Sequence, residues 1–283
     1  MDRIEETIQS ASVETQPKIS PSAISSMQGN PHSNLDATAS TDKTSPSANE
    51  PSLPQKLENR KEVEEYYEKS LEKFGNSETN QKFLSHLESQ GFSLQGLTEE
   101  ESKGSYSKYL TRVYSLAEDA GIPPSSAGTI VHRMAELHTL HRYPDDVANG
   151  TRLLEQRIDY QDSAGIERHK ELDRVIVRDG VHYIQDIKPI HLGEFAKTEE
   201  GRVWASQMKS NHGEDFREKI KRGEISPLSG LPDGDSSRAA LVSFSKKDVG
   251  KHKTQLDTYR QLYQQANPDV KTAKPSVLPY YVW

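Results

Sequence analysis

From Leu57 to about Gln90 the apolar residues recur at helical spacing. In KEVEEYYEKSLEKFG, Val63, Tyr66, Tyr67, Leu71 and Phe74 fall near a 3.6-residue period, and Gly75 stands where a C-cap is expected. Phe83, Leu84 and Leu87 continue into a second short helix that ends near Gly91, and Thr98 followed by Glu101 reads as a capping box opening a third. Helices are then expected through YSKYLTRVYSLAEDAG and, after Pro123-Pro124, through SSAGTIVHRMAELHTLH. The period changes at ELDRVIVR and VHYIQDIKPI, which read as two strands. Asp179-Gly180 between them is a strong signal for a type I′ hairpin turn. A polar helical stretch runs from Leu192 to Arg222, followed by a Pro/Gly/Asp/Ser loop from Ser226 to Ser237. RAALVSFS reads as a further strand, DVGKHKTQLDTYRQLYQQ as a helix, and PSVLPYYVW as a terminal strand whose prolines suit an edge.

These elements add up to an α/β domain over residues 105–283, behind an acidic helical region at 56–104. Residues 1–55 are rich in Ser, Thr, Pro, Asn and Gln and read as a disordered leader, either a plain linker or an export signal. The mean hydropathy of -0.85, with 28% charged residues, agrees with a chain that is partly unfolded. The net charge of -7 is concentrated in the first third, so a local basic groove in the C-terminal domain stays open. The absence of cysteine excludes disulfides, thiolate metal sites and cysteine-held iron–sulfur clusters. No apolar run approaches the ~20 residues of a membrane span, and the first residues lack the apolar core of a secretory signal. A soluble, cytoplasmic protein is the default expectation, with no membrane partner and with non-classical export left open.

On the second hairpin strand His182, Ile184, Asp186 and Lys188 share one face, so two opposite charges stand beside apolar neighbours. Asp173 lies on the first strand. Two carboxylates on neighbouring strands suit Mg²⁺ or Mn²⁺, and a lysine beside them suits the charge developing on a scissile phosphate. A partly buried ion pair explains the same residues equally well. On the preceding helix Gly128, His132 and Glu136 share a face, and near the C-terminus Gln255 and Tyr259 do the same.

In chain order these residues are Gly128-x-x-x-His132, Asp173, Asp186-Ile187-Lys188 and Gln255-x-x-x-Tyr259. The series, over roughly residues 125 to 265, resembles the RecB-like nuclease family of the PD-(D/E)XK superfamily. The resemblance implies a restriction-endonuclease-like core, a central mixed β-sheet flanked by helices. It also implies a metal-dependent DNase in which His132, Asp173, Asp186 and the main-chain carbonyl of Ile187 hold Mg²⁺ or Mn²⁺. Lys188 would then be the catalytic lysine, and Gln255 and Tyr259 would contact DNA or support the site. Glu155 is the candidate for a further glutamate that many relatives carry. Two departures stand out: Lys170 occupies the family's glycine position, and the span from Lys188 to Gln255 is long. A bacterial toxin or effector, with a regulatory or immunity protein as partner, and a repair, phage or mobile-element nuclease are both compatible settings. The alternative is a catalytically idle module of the same fold that binds nucleic acid or protein.

Overall fold

The computed structural model describes residues 57–100, 105–161 and 165–283. The expected leader at 1–55 lies outside the described residues. The described residues cluster as one compact unit. Among the described residues six helices come first: α1 (Arg60–Phe74), α2 (Glu78–Ser89), α3 (Leu94–Glu99), α4 (Tyr106–Asp119), α5 (Pro124–Arg142) and α6 (Pro144–Ala148). Three long strands follow, β1 (Arg152–Gln161), β2 (Glu167–Arg178) and β3 (Val181–His191). Five further helices are α7 (Leu192–Lys197), α8 (Glu199–His212), α9 (Phe216–Lys221), α10 (Ser236–Gly250) and α11 (Lys253–Ala266), and the chain ends in β4 (Lys271–Thr272) and β5 (Ser276–Val282). No helix among the described residues is long and apolar enough to cross a membrane.

The protein is α/β, with an open, mixed five-stranded sheet flanked by helices. β1, β2 and β3 are antiparallel in that order, and β4 and β5 pair parallel with β3. The β2–β3 turn has the chemistry expected of it: Asp179 and Gly180 both take positive φ, 52° and 71°, the left-handed pair that a type I′ turn requires. β5 has β3 as its one strand partner among the described residues, and its other edge is covered by α4. Ser107 donates its hydroxyl to the Pro279 carbonyl at 2.5 Å, and the Tyr281 N–H donates to Thr111 Oγ1 at 3.0 Å. The sheet edge is thereby hydrogen-bonded, and the missing N–H of Pro279 leaves no gap.

Several local expectations are corrected. RAALVSFS is helical, part of α10, because Asp235 caps it by accepting the N–H groups of Ser237 and Arg238 at 2.8 and 3.2 Å. The helix expected from Asp248 onward is divided, α10 ending at Gly250 and α11 starting at Lys253. Thr98 opens no helix. Ser93 caps α3, while Thr98 sits near its end and donates its hydroxyl to the Leu94 carbonyl. The next cap is Ser105, and Glu101 lies outside the described residues. β1 was not anticipated at all.

Two cores flank the middle of β3. Ile158, Leu172, Val175 and Ile184 of the hairpin pack under Tyr259 and Tyr263 of α11. Ile190 and Tyr281, at the far ends of β3 and β5, join Phe195, Trp204, Met208, Phe216 and Leu241 from α7 to α10. Burial of such side chains contributes about 1.5–3 kcal/mol each. Asp186 and Lys188 lie between these two cores.

Candidate active site

β2 and β3 pair from Arg178↔Val181 to Arg174↔Gln185. Beyond that point the ladder ends, and the carboxylate of Asp173 fills the gap. Its Oδ2 accepts the Ile187 N–H at 2.6 Å, while its Oδ1 lies 3.1 Å from Nδ1 of His132 on α5. Because the N–H and C=O of one strand residue point to the same side, the Ile187 carbonyl faces this gap too. Continuing the register puts Asp186 opposite Asp173, and Lys188 Nζ lies 2.9 Å from Asp186 Oδ2. The ammonium is close but poorly aligned, since that buried oxygen makes no hydrogen bond.

The electrostatics follow from the crowding. Burial raises the Asp186 carboxyl, the neighbouring Asp173 charge raises it further, and Lys188 only partly opposes them; the group is held at about 7. Burial also works against an ionised Asp173, but the His132 imidazole and the hydrogen bond from the Ile187 N–H outweigh it and hold Asp173 below the usual carboxylate range. A proton taken up by the pair therefore favours Asp186 over Asp173. Burial disfavours charge on His132, yet Asp173 more than offsets it and lifts the imidazole above its ordinary value. Lys188 is likewise lifted, Asp186 outweighing the effect of burial.

α11 packs its tyrosines against the sheet beside His182 and Ile184. Tyr263 OH lies 2.8 Å from His182 Nδ1, and Tyr259 sits within electrostatic reach of Asp186 and Lys188. Gln255 donates its amide N–H to Tyr259 OH at 2.5 Å. The two residues therefore form one unit beside the acids, as their spacing predicts. Gly128 lies one turn before His132, facing Tyr280 of β5 across enough room for a Cβ.

Glu155 stands opposite Asp173 in the β1–β2 register, between the pairs Leu154↔Arg174 and Gln156↔Leu172, and has a φ of 41°. That left-handed backbone, uncommon for glutamate, interrupts the ladder beside the acids. Arg133 Nη1 lies 2.5 Å from Glu136 Oε2 and 3.4 Å from Glu155 Oε2. Tyr66 of α1 donates its hydroxyl to Glu136 Oε1 at 3.2 Å. Burial and the Glu136 charge push the Glu155 carboxyl up, with Arg133 opposing them. Its side chain is one-third exposed, so solvent screening tempers the effect. Glu136 is itself buried and fully engaged, as part of the scaffold behind the gap. Lys170, at the expected glycine position, is an exposed β2 residue paired with Ile158, well out along the hairpin.

Among the described residues no three His, Asp or Glu side chains are grouped so as to enclose a metal ion by themselves. The donor set still fits a hard divalent cation: two opposed carboxylates, one with a buried oxygen lacking a hydrogen bond, beside a main-chain carbonyl. Mg²⁺ takes one or two carboxylates and completes its shell with water or phosphate oxygens.

Sequence reasoning brought together His132, Asp173, Asp186, Ile187, Lys188, Gln255 and Tyr259, and missed Arg133, Tyr66 and His252. Arg133 was legible as the i,i+3 partner of Glu136, and His252 as the residue three before Gln255. Nothing in the sequence signalled Tyr66. No protein-family model, curated protein or solved structure matches the chain.

Proposed function

We propose that the protein is a divalent-metal-dependent nuclease with a restriction-endonuclease-like core, hydrolysing phosphodiester bonds of DNA. The observation that carries this reading is the opposition of Asp173 and Asp186 across the end of the β2–β3 ladder, with Lys188 Nζ 2.9 Å from Asp186. Two buried carboxylates facing one another repel unless a proton or a cation stands between them.

In this reading Asp173, Asp186 and the Ile187 carbonyl hold Mg²⁺ or Mn²⁺, which supplies Lewis acidity toward a phosphoryl oxygen and lowers the pKa of water. His132 fixes the carboxylate plane of Asp173 through Oδ1. The Ile187 N–H fixes it through Oδ2. Lys188 presents its ammonium to the charge that develops on the non-bridging phosphate oxygens. Tyr259, held by Gln255, closes the site on the α11 side.

The test is incubation of the protein with supercoiled, linear and single-stranded DNA in Mg²⁺, Mn²⁺ or EDTA, beside Asp173→Ala, Asp186→Ala and Lys188→Ala. Metal-dependent cleavage by the wild type alone supports the reading. Retained cleavage in all three variants sinks it. One observation favours a second reading, an idle module that binds nucleic acid: Asp173 and Asp186 already have His132 and Lys188 as partners. Binding that persists in EDTA, with no cleavage under either metal, selects it.

A further inference from the structure

The end of α10 and the start of α11 read Lys246-Lys247-Asp248-Val249-Gly250-Lys251-His252-Lys253, with four lysines against one acid. All four lysines are exposed. The one acid, Asp248, is buried and pairs with Lys251. Lys246, Lys247 and Lys253 form no ion pair among the described residues.

Helix stability does not explain the run. Lys246 and Lys247 near the C-terminal end of α10 suit its dipole, but Lys253 is the first residue of α11, where a cation is disfavoured. Like charges so close in sequence repel, and among the described residues no acidic side chain lies within ion-pair distance of these three.

The turn is joined to the acids. His252 stands at the N-cap of α11 within electrostatic reach of Lys188, and burial and that charge together keep its imidazole below its ordinary value. Gln255 in turn holds Tyr259 beside Asp186 and Lys188. On the other side Lys251 reaches the field of Glu194 on α7, just past the end of β3. The turn that carries the lysines therefore leads into the helix that packs Tyr259 against Ile184 of β3, two residues from Asp186.

We propose that the α10–α11 turn is a contact for the sugar-phosphate backbone of the nucleic-acid strand that enters the site, with Lys246, Lys247 and Lys253 each facing a phosphate. The assignment rests on reading Asp186 and Lys188 as a phosphodiester site. It adds the path of the strand, from the acids outward over the start of α11. Phosphate contacts of this kind position the strand without reading its sequence.

The test is binding of a labelled single-stranded oligonucleotide in EDTA, where no cleavage occurs, at salt from about 50 to about 300 mM. Wild type is compared with the triple variant K246Q/K247Q/K253Q. The control, K61Q/K69Q/K73Q on α1, removes the same number of charges from exposed positions elsewhere. The site variant is expected to lower the magnitude of the salt slope by about 2, roughly 0.7 per lysine for a single strand, and to weaken binding at least tenfold at about 0.1 M salt. The control is expected to bind as wild type, and all three proteins to melt together. Equal losses in both triples, or none in the site triple, overturn the proposal. So does binding to phosphatidylglycerol vesicles that matches oligonucleotide binding and depends on the same lysines.

Cleavage under Mg²⁺ is scored separately. A wild type that binds through these lysines but never cleaves sinks the nuclease reading and supports this one. Cleavage with unchanged binding by the site triple sinks this one alone.

Discussion

Ile187 donates its main-chain N–H to Asp173 Oδ2 at 2.6 Å, across the point where β2 and β3 cease to pair. The side chain of one strand thus substitutes for the missing backbone acceptor, and the carboxylate closes the sheet at this point. Asp173→Ala is expected to leave the Ile187 N–H without its acceptor and to cost about 1–3 kcal/mol of stability. Asp173→Asn keeps an oxygen acceptor and should cost less, while losing cleavage just as completely. Urea unfolding beside the plasmid assay separates the two effects, and Asp173→Asn with wild-type cleavage would remove Asp173 from the site.

Asp186 carries the opposite expectation for stability. Its folded-state carboxyl is raised to about 7, above its unfolded value of 3.8, so the folded protein holds a proton that the unfolded chain releases. The stabilisation from that proton is present below the unfolded value and is lost as pH rises through the window from about 4 to about 7. Asp186→Asn removes the strain and is expected to be more stable than wild type at pH 8 in EDTA, with the gap narrowing toward pH 4. Added Mg²⁺ or Mn²⁺ should raise the Tm of wild type and not of the variant. A variant less stable at pH 8, or one stabilised by metal as much as wild type, contradicts this account.

His138, further along α5 from His132, packs against the rings of Tyr106 and Tyr109 at 5.1 and 4.6 Å, with a buried Nδ1 that has no hydrogen-bond partner. Burial, with Arg142 and other nearby cations, lowers it to about 4. The unfolded chain therefore binds this proton first as pH falls. Stability is full above the ordinary histidine value and declines from about 6.5 to about 4, by roughly 3 kcal/mol in total. His138→Phe is expected to flatten that part of the acid limb. Chemical unfolding at half-unit pH steps measures it, and an unchanged slope refutes the assignment.

The acidic helices are structural. Val63, Tyr67, Phe74, Phe83, Leu87 and Leu97 are buried, and α1 to α3 pack on α4, α5 and α6. Tyr66 reaches Glu136, and the Tyr67 ring lies 5.5 Å from that of His141. A fragment starting at residue 105 is expected to aggregate or to melt without a cooperative transition, because the faces of α4 and α5 would be bared to water. A fragment that melts as sharply as the full chain would make the helices a removable cover instead.

What the sequence determined by itself is what short-range physics controls. The helical period of α1, α2, α4 and α5 could be read directly, as could the Asp179-Gly180 turn, because each depends on neighbours a few residues apart. Alternation along β3 placed Asp186 and Lys188 on one face, and the i,i+4 spacing joined Gln255 to Tyr259. Where local preferences were balanced, tertiary structure decided. RAALVSFS suits a strand or a helix, and the Asp235 cap and the burial of Leu241 made it a helix. β1 hid behind its charges and the left-handed Glu155, a conformation stable only where β2 pairs on either side of it. The Arg133–Glu136–Glu155 cluster, the reach of Tyr66 and the place of His252 beside Lys188 depend on elements distant in the chain. Only packing brings those groups into a shared low-dielectric space, and only there do their charges act strongly on one another.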